Sequence, residues 1–81
     1  MMRITTWNVN GLRSAIDKGI WDWIEQEAPD VLCLQEVRAS PHQINAAALE
    51  KINTTFPAVT WNPASRPGYS GVAIFSRHHP L

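Results

Sequence analysis

The chain has 81 residues, of which 44% are hydrophobic and 17% charged, and its seven basic and seven acidic side chains give a formal net charge of zero. This length allows one small domain that buries only about 60 to 65% of its unfolded surface, and the ordinary hydrophobic content argues against intrinsic disorder. Because the net charge is zero, any binding of nucleic acid or another polyanion must depend on a local site.

The cysteine content and the lack of a long apolar segment indicate the compartment. The single cysteine, Cys33, lies in an apolar run and cannot form an intrachain disulfide, which suits a reducing environment. No apolar stretch approaches the roughly 18 residues that cross a membrane, and the N-terminus has no charged region followed by a long apolar core. We therefore expect a cytoplasmic protein with no membrane partner.

The first predicted strand and helix lie before Pro29. Residues 3–8, RITTWN, are rich in β-branched and aromatic types and precede the turn-prone VNG. From Ser14 the pattern becomes helical, with polar residues on the other faces. Its apolar stripe consists of Ile16, Ile20, Trp23 and Ile24. We expect one amphipathic helix that ends near Ala28, because Pro29 cannot continue it.

A second strand follows in the run DVLCLQ, residues 30–35. Its nearly continuous apolar character is typical of a strand with both faces covered. Strand, helix and strand in this order form a βαβ unit, whose two strands are parallel and usually adjacent in one sheet.

The second predicted helix has a well-marked start. Ser40 can cap it, Pro41 suits a first helical position that needs no N–H, and Gln43 completes an S-x-x-Q capping box. Pro57 ends the helix. Its apolar stripe consists of Ile44, Ala48, Ile52 and Phe56.

Two further strands complete the predicted order β-α-β-α-β-β. They cover AVTWN at 58–62 and GVAIFS at 71–76, and the intervening PASRPGYS contains the Pro, Gly and Ser residues of a connection. An antiparallel hairpin is the simplest arrangement. Residues 1–81 show no internal repeat, linker or domain boundary, so the pattern predicts a single α/β unit.

The ends of the first two strands carry the candidate site. Asn8 ends the first strand and Glu36 the second, so parallel pairing brings both to the edge where open α/β sheets bind ligands. A carboxylate with an amide oxygen nearby suits Mg²⁺, which keeps several waters and commonly bridges to phosphate oxygens. Asn8 could bind the metal, a phosphate or the Glu36 carboxylate.

Each of these side chains also has an ordinary structural explanation. Glu36 could be a strand end that reaches water, and Asn8 a turn residue whose side chain bonds its own backbone. Arg13 and Arg38 flank the same edge and could contact phosphates, or could be solvated or paired with an acid. Tyr69 could stack on a base or sugar, or cover the core as a turn aromatic.

Other familiar catalytic patterns are absent from the sequence. His42, His78 and His79 have no metal-ligand spacing to one another or to Cys33. There is no glycine-rich phosphate loop and no Ser/His/Asp or Cys/His constellation.

Three segments together resemble a known enzyme family. ITTWNVNGLRSA at 4–15, PDVLCLQEVR at 29–38 and GYSGVAIFSR at 68–77 are similar, in order and spacing, to the N-terminal third of the exonuclease III family of apurinic/apyrimidinic (AP) endonucleases. They span nearly the whole chain. The form WNVNGLR is typical of this branch of the endonuclease/exonuclease/phosphatase superfamily.

The resemblance implies the N-terminal part of a DNase I-like, four-layered α/β sandwich, which some schemes class as α+β. It further implies an enzyme that uses Mg²⁺ or Mn²⁺ to hydrolyse the phosphodiester 5′ to abasic sites in double-stranded DNA, with action at 3′ ends as an exonuclease in some members. On this basis we expect the full-length protein to be a monomer.

Residue matching assigns the metal site. Glu36 is similar to the family's metal-binding glutamate, and Asn8 to its active-site asparagine beside the metal. Asn10 matches a position near the metal that is Asp or Asn in the family.

Residue matching also assigns the DNA contacts. Arg13 is similar to a DNA-backbone contact, and Tyr69 lies in the loop that approaches DNA in relatives. Arg38 stands where many members have lysine, so the charge is kept while the geometry changes.

The resemblance finally implies that the chain is incomplete. The family's catalytic tyrosine, Asp-x-Asn pair and terminal Asp-His lie in later segments, so we expect the chain alone to lack AP-site cleavage. Half a sandwich also exposes an apolar sheet face, which predicts association or poor solubility. The alternatives are another superfamily phosphoesterase, acting on RNA, phosphoinositides or sphingomyelin, and a truncated product without catalysis.

Overall fold

The computed structural model describes residues 2–62 and 70–78. The four strands of this part form one mixed sheet in the order β1-β2-β4-β3, with the helices between them in sequence. The predicted α/β class is confirmed. In chain order the elements are β1 (Ile4–Asn8), α1 (Leu12–Asp17), α2 (Ile20–Glu27), β2 (Val31–Gln35), a short 3₁₀ helix (Pro41–Gln43), α3 (Ala46–Thr55), β3 (Ala58–Asn62) and β4 (Val72–Ser76).

Strand pairing follows the predicted topology. β1 lies parallel to β2, in a register that runs from Ile4 opposite Val31 to Asn8 opposite Gln35. β4 pairs antiparallel with β2 on one side and with β3 on the other. Both the βαβ unit and the hairpin of the last two strands are therefore confirmed.

One face of the sheet packs against the helices and forms the core. Leu32 and Leu34 of β2 and Phe75 of β4 are fully buried there. The rings of Phe56 and Phe75 lie 5.6 Å apart in a tilted arrangement, which adds a specific aromatic contact to the apolar burial. The helices and the residues that flank them contribute Leu12, Ile24, Ile52 and Phe56 to this core.

The other face of the sheet carries no helix within residues 2–62 and 70–78, so this part of the chain covers one of the two faces of β2 that were expected to be covered. Burial alternates along β2, since helices pack on one side only. Ile4 is 61% exposed and Ile74 is 40% exposed on the uncovered side. We call this surface the open face; its apolar residues are Ile4, Val31, Cys33, Ala58, Val72 and Ile74.

The prediction of a single helix between Ser14 and Ala28 is wrong, because the structure has two helices there. α1 ends at Asp17 and α2 begins at Ile20. Between them Gly19 adopts φ +94°, a left-handed conformation that glycine reaches without steric cost. The apolar period runs through the break because Ile16 and Ile20 lie on either side of it. The glycine in the helical pattern was the signal for this turn.

The second helix begins later than its capping box predicts. The box forms, since the Gln43 side-chain oxygen accepts the Ser40 N–H at 2.8 Å, but it closes only the short 3₁₀ helix. Ile44 is extended, and α3 then starts with Asn45 as its N-cap, whose side chain accepts the Ala48 N–H at 2.8 Å. A second polar cap five residues along therefore displaces the helix start.

The edge of the sheet away from the candidate site is fixed by Asp30. Its carboxylate accepts the backbone N–H of Arg3 at 2.8 Å, and its carbonyl accepts the N–H of Arg77 at 2.8 Å. The Arg3 N–H, and then His78, lower the pKa of Asp30. One residue thus ties the beginnings of β1 and β2 to the end of β4.

The described helices are all short. Within residues 2–62 and 70–78, no helix has the length and apolar character needed to cross a membrane.

We expect Ile74→Lys to weaken self-association of the chain through its open face. Burying an isoleucine contributes roughly 1.5–3 kcal/mol, so the dissociation constant should rise about tenfold or more. Sedimentation equilibrium measures this constant. Gln26→Lys is the control, because it adds the same charge at an exposed position of α2. Equal effects of the two variants would contradict a contact through the open face.

Candidate active site

The carboxyl ends of β1 and β2 bring two predicted site residues together. Asn8 is the last residue of β1 and lies opposite Gln35, the residue before Glu36. The Asn8 side-chain Nδ2 donates a hydrogen bond to Oε2 of Glu36. Parallel pairing therefore joins two side chains that are 28 positions apart in the sequence.

Two further contacts organise this cluster. Nη2 of Arg38 lies 3.1 Å from Oε1 of Glu36 and forms an ion pair with it. Oδ1 of Asn8 accepts the backbone N–H of Asn10 at 3.0 Å, the hydrogen bond of an Asx turn. Asn8 thus holds the turn with its oxygen and the carboxylate with its nitrogen, while Glu36 has one protein partner on each oxygen.

These contacts favour the ionised form of Glu36. The Asn8 hydrogen bond, followed by the contact with Arg38, lowers the pKa of the Glu36 carboxyl below its ordinary value of 4.5. A lowered pKa stabilises the fold at pH values above the ordinary one, and this contribution is lost as the pH falls through the lowered value. At neutral pH a cation that binds here has no proton to displace.

A concave surface lies next to the cluster. Asn10, Arg13 and Arg38 line a cavity of about 400 Å³, together with the carboxylate-bearing Asp17. The two arginines predicted to contact phosphate therefore share one cavity with the predicted metal-site residue Asn10. Two guanidinium groups and one carboxylate therefore line the same cavity.

The structural explanations weighed for single residues have different outcomes. Arg38 is paired with an acid, and Glu36 is hydrogen-bonded rather than only solvated. Arg13 has no ion pair with any residue of the described part of the chain. Tyr69 lies outside the described residues. The roles assigned to these residues in metal and DNA binding stay predictions.

Metal-ligating side chains are sparse around the site. Within residues 2–62 and 70–78, no three His, Cys, Asp or Glu residues cluster to hold an ion. Glu36 is the carboxylate of the cluster formed with Asn8 and Arg38. Because the Asn8 nitrogen faces Glu36 and the Asn8 oxygen accepts the Asn10 N–H, a cation here would depend on Glu36 and on ligands outside this cluster.

The backbone of the site has a feature that the sequence pattern did not reveal. Asn10, Glu36 and Arg38 have φ values of 49°, 52° and 56°, in the left-handed region that residues other than glycine rarely adopt. Asn tolerates this conformation, whereas Glu and Arg give no local signal for it. Ser70 and Gly71, which contact this segment, were predicted only as connection and strand.

Comparison with known families accounts for nearly the whole chain. Residues 5–81 match the model of the Endonuclease/Exonuclease/phosphatase family. The chain belongs to this family. Nucleases of the family generally depend on a divalent metal.

Curated relatives agree with the predicted branch of the family. The DNA repair nuclease APEX1 of Danio rerio is 38% identical over 81 residues, which cover 99% of this chain and 26% of that protein. An exodeoxyribonuclease of Bacillus subtilis (strain 168) is 36% identical over 81 residues, which cover 99% of this chain and 30% of that protein. The resemblance to exonuclease III-type AP endonucleases is confirmed, and the chain spans less than a third of these relatives.

Solved structures agree with the predicted fold. An AP endonuclease from Archaeoglobus fulgidus matches with a TM-score of 0.75 and 32% identity, over 99% of this chain and 29% of that one. A 3′ phosphatase from Neisseria bound to a product DNA hairpin matches with a TM-score of 0.73 and 34% identity, over 99% of this chain and 29% of that one. The DNase I-like fold is therefore confirmed.

We expect Asn8→Ala to raise the pKa of the Glu36 carboxyl, because it removes the donor that contributes most to the lowered value. Arg38→Ala should raise this pKa by less. A pH titration of the Glu36 side-chain carbon by NMR measures both shifts. Asn62→Ala, at the end of β3 in the same sheet, is the control and should leave the pKa unchanged. A larger shift for Arg38→Ala would reverse the assigned order.

Proposed function

We propose that this chain is the N-terminal part of a DNA-repair nuclease. The whole protein would hydrolyse the phosphodiester on the 5′ side of abasic sites in double-stranded DNA and would act at 3′ ends as an exonuclease. The observation that carries this proposal is the Glu36 carboxylate, hydrogen-bonded to Asn8 at the sheet edge beside an arginine-lined cavity. The names of the relatives, a DNA repair nuclease and an exodeoxyribonuclease, support it.

Glu36 is the residue that would hold a divalent cation. Its carboxylate suits Mg²⁺ or Mn²⁺, which are hard ions that prefer oxygen ligands. Such an ion, when bound, supplies positive charge to the phosphoryl oxygens and lowers the pKa of a bound water. Asn8, the other predicted metal ligand, directs its nitrogen to Glu36 and accepts the Asn10 N–H with its oxygen. Asn8 would orient the carboxylate for this task, and its hydrogen bond favours the charged form.

The arginines of the cavity would bind the DNA backbone. Arg13 and Arg38 present guanidinium groups whose planar donors match phosphate oxygens. Arg38 also touches Glu36, so it would position a phosphate next to the cation. Tyr69 stays a proposed DNA contact. These contacts hold the backbone in place, while recognition of the abasic site would depend on the rest of the protein.

The remaining properties of the whole protein follow from the same proposal. Its partner would be double-stranded DNA that carries abasic sites or 3′ ends, and it would act as a monomer in the cytoplasm. The lone Cys33 supports a reducing compartment.

The first test is Glu36→Gln in the protein expressed from the coding DNA read through to its stop codon. Loss of the negative charge should lower the rate of incision of an abasic duplex by about a hundredfold or more, the usual effect of losing one preorganised electrostatic contact. A fluorescent duplex with one abasic analogue, assayed with Mg²⁺ and with Mn²⁺, measures this rate. Glu50→Gln, at an exposed position of α3, removes the same charge and should have no effect.

Two outcomes would contradict the nuclease proposal. One is unchanged incision by Glu36→Gln. The other is a parent protein that leaves the abasic duplex intact but cleaves RNA, a phosphoinositide or sphingomyelin, which would favour a different phosphoesterase. The chain alone, assayed in parallel, should show no incision.

A second test concerns the DNA contact of Arg13. We expect Arg13→Ala in the same protein to weaken duplex binding and to reduce the slope of log affinity against log salt by about one, since one phosphate contact is lost. Fluorescence anisotropy at several salt concentrations measures this slope. The matched control is Arg3→Ala, because Arg3 pairs with Glu27 at the opposite edge of the sheet. An unchanged slope for Arg13→Ala would show that Arg13 makes no phosphate contact with the duplex.

A further inference from the structure

The segment that carries Glu36 has an unusual backbone. Glu36 and Arg38 both have left-handed φ values, 52° and 56°, on either side of Val37. L-residues with long side chains rarely adopt this conformation, which persists only where the surrounding structure imposes it. Val37 itself is 1% exposed and belongs to the core. The direction of the Glu36 side chain therefore depends on what holds residues 36–38.

One side of this segment is held by the turn after β1. The backbone N–H of Gly11 donates to the Glu36 carbonyl at 2.8 Å, and that of Leu12 donates to the Val37 carbonyl at 2.9 Å. These bonds fix the carbonyl groups of the segment. They leave its N–H groups to other partners.

The other side is held by residues 70 and 71. The N–H of Val37 donates to the Gly71 carbonyl at 3.1 Å, and the N–H of Arg38 donates to the Ser70 carbonyl at 2.7 Å. We call these two bonds the 70–71 clamp. The clamp directly continues the β2–β4 pairing, which ends with Gln35 opposite Val72.

The clamp requires its own special backbone. Ser70 has φ +40° and Gly71 has φ +97°, and Gly71 is buried. At φ +97° any L side chain is strained, so alanine at position 71 would rotate the peptide units that carry the two accepting carbonyls. The sequence GYSG thus supplies a glycine where the clamp needs one.

We propose that Ser70 and Gly71 are positioning residues for Glu36. Their carbonyl groups hold the left-handed backbone that directs the Glu36 carboxylate to Asn8 and to the proposed cation. This inference rests on the proposed function in that it takes Glu36 as the metal ligand. It adds that the metal site depends on a segment that follows β3, 34 or more positions after the ligand itself.

The test is Mn²⁺ titration of the ¹⁵N-labelled chain, with paramagnetic broadening of the Asn8 and Glu36 amide signals as the readout. In Gly71→Ala, equal broadening should require about tenfold more Mn²⁺, the usual cost of losing a group that orients a metal ligand. Gly19→Ala is the matched control, since Gly19 also has a left-handed φ, +94°, and lies between the first two helices. It should respond as the parent does.

A metal-independent readout separates this inference from the proposed function. The pKa of Glu36 should rise in Gly71→Ala as the Asn8 contact is lost, whether or not a cation binds. If Mn²⁺ does not broaden these signals selectively in the parent chain, and Glu36→Gln has no effect, the metal role of Glu36 is refuted. The pKa of Glu36 in Gly71→Ala then still tests the clamp. A parent-like pKa in folded Gly71→Ala would overturn the clamp.

A second variant covers the case in which Gly71→Ala does not fold. An amide-to-ester replacement at the peptide bond before Arg38, made in a synthetic chain, removes the N–H that Ser70 accepts and keeps every side chain. The clamp predicts a raised Glu36 pKa and a weaker Mn²⁺ response in this chain. Parent values for both would overturn the proposal.

Discussion

The parallel register of β1 and β2 is the constraint on which the site depends. Side chains alternate along a strand, so a slip by one residue would turn Asn8 away from Glu36 and move Leu34 out of the core. Both ends of the pair resist such a slip. At one end Asp30 accepts the Arg3 N–H, and at the other Gln35 accepts the Val9 N–H at 3.1 Å. Burial of the core and assembly of the site therefore select the same register.

This coupling explains why the sequence predicted the place of the site better than its details. Short β-branched or apolar runs mark the four strands, and the handedness rules for βαβ units then bring Asn8 and Glu36 to one edge. This placement follows from the strand order and direction alone and needs no knowledge of side-chain contacts. The partner of each Glu36 oxygen, by contrast, depends on side-chain geometry that periodicity does not encode. Arg38 was open to either a phosphate or an acid, and the structure pairs it with the acid.

The errors have a common physical origin in competition between local signals and the rest of the fold. At residues 40–45 two caps compete, and the later one, Asn45, starts α3. At Gly19 the apolar period continues through a turn, so the pattern alone favours one helix. For Glu36 the left-handed backbone is imposed by hydrogen bonds from distant residues, and no local signal exists.

The Glu36 carboxylate has enough acceptor positions for its two protein contacts and for a cation. An ionised carboxylate offers about four acceptor positions on its two oxygens, and the protein uses one on each, for Asn8 and for Arg38. The proposed cation would therefore break neither contact. The same two contacts lower the pKa of Glu36, so they favour the charged form that the cation requires. A side chain held in this way is already oriented, which would reduce the reorganisation that binding of a cation demands.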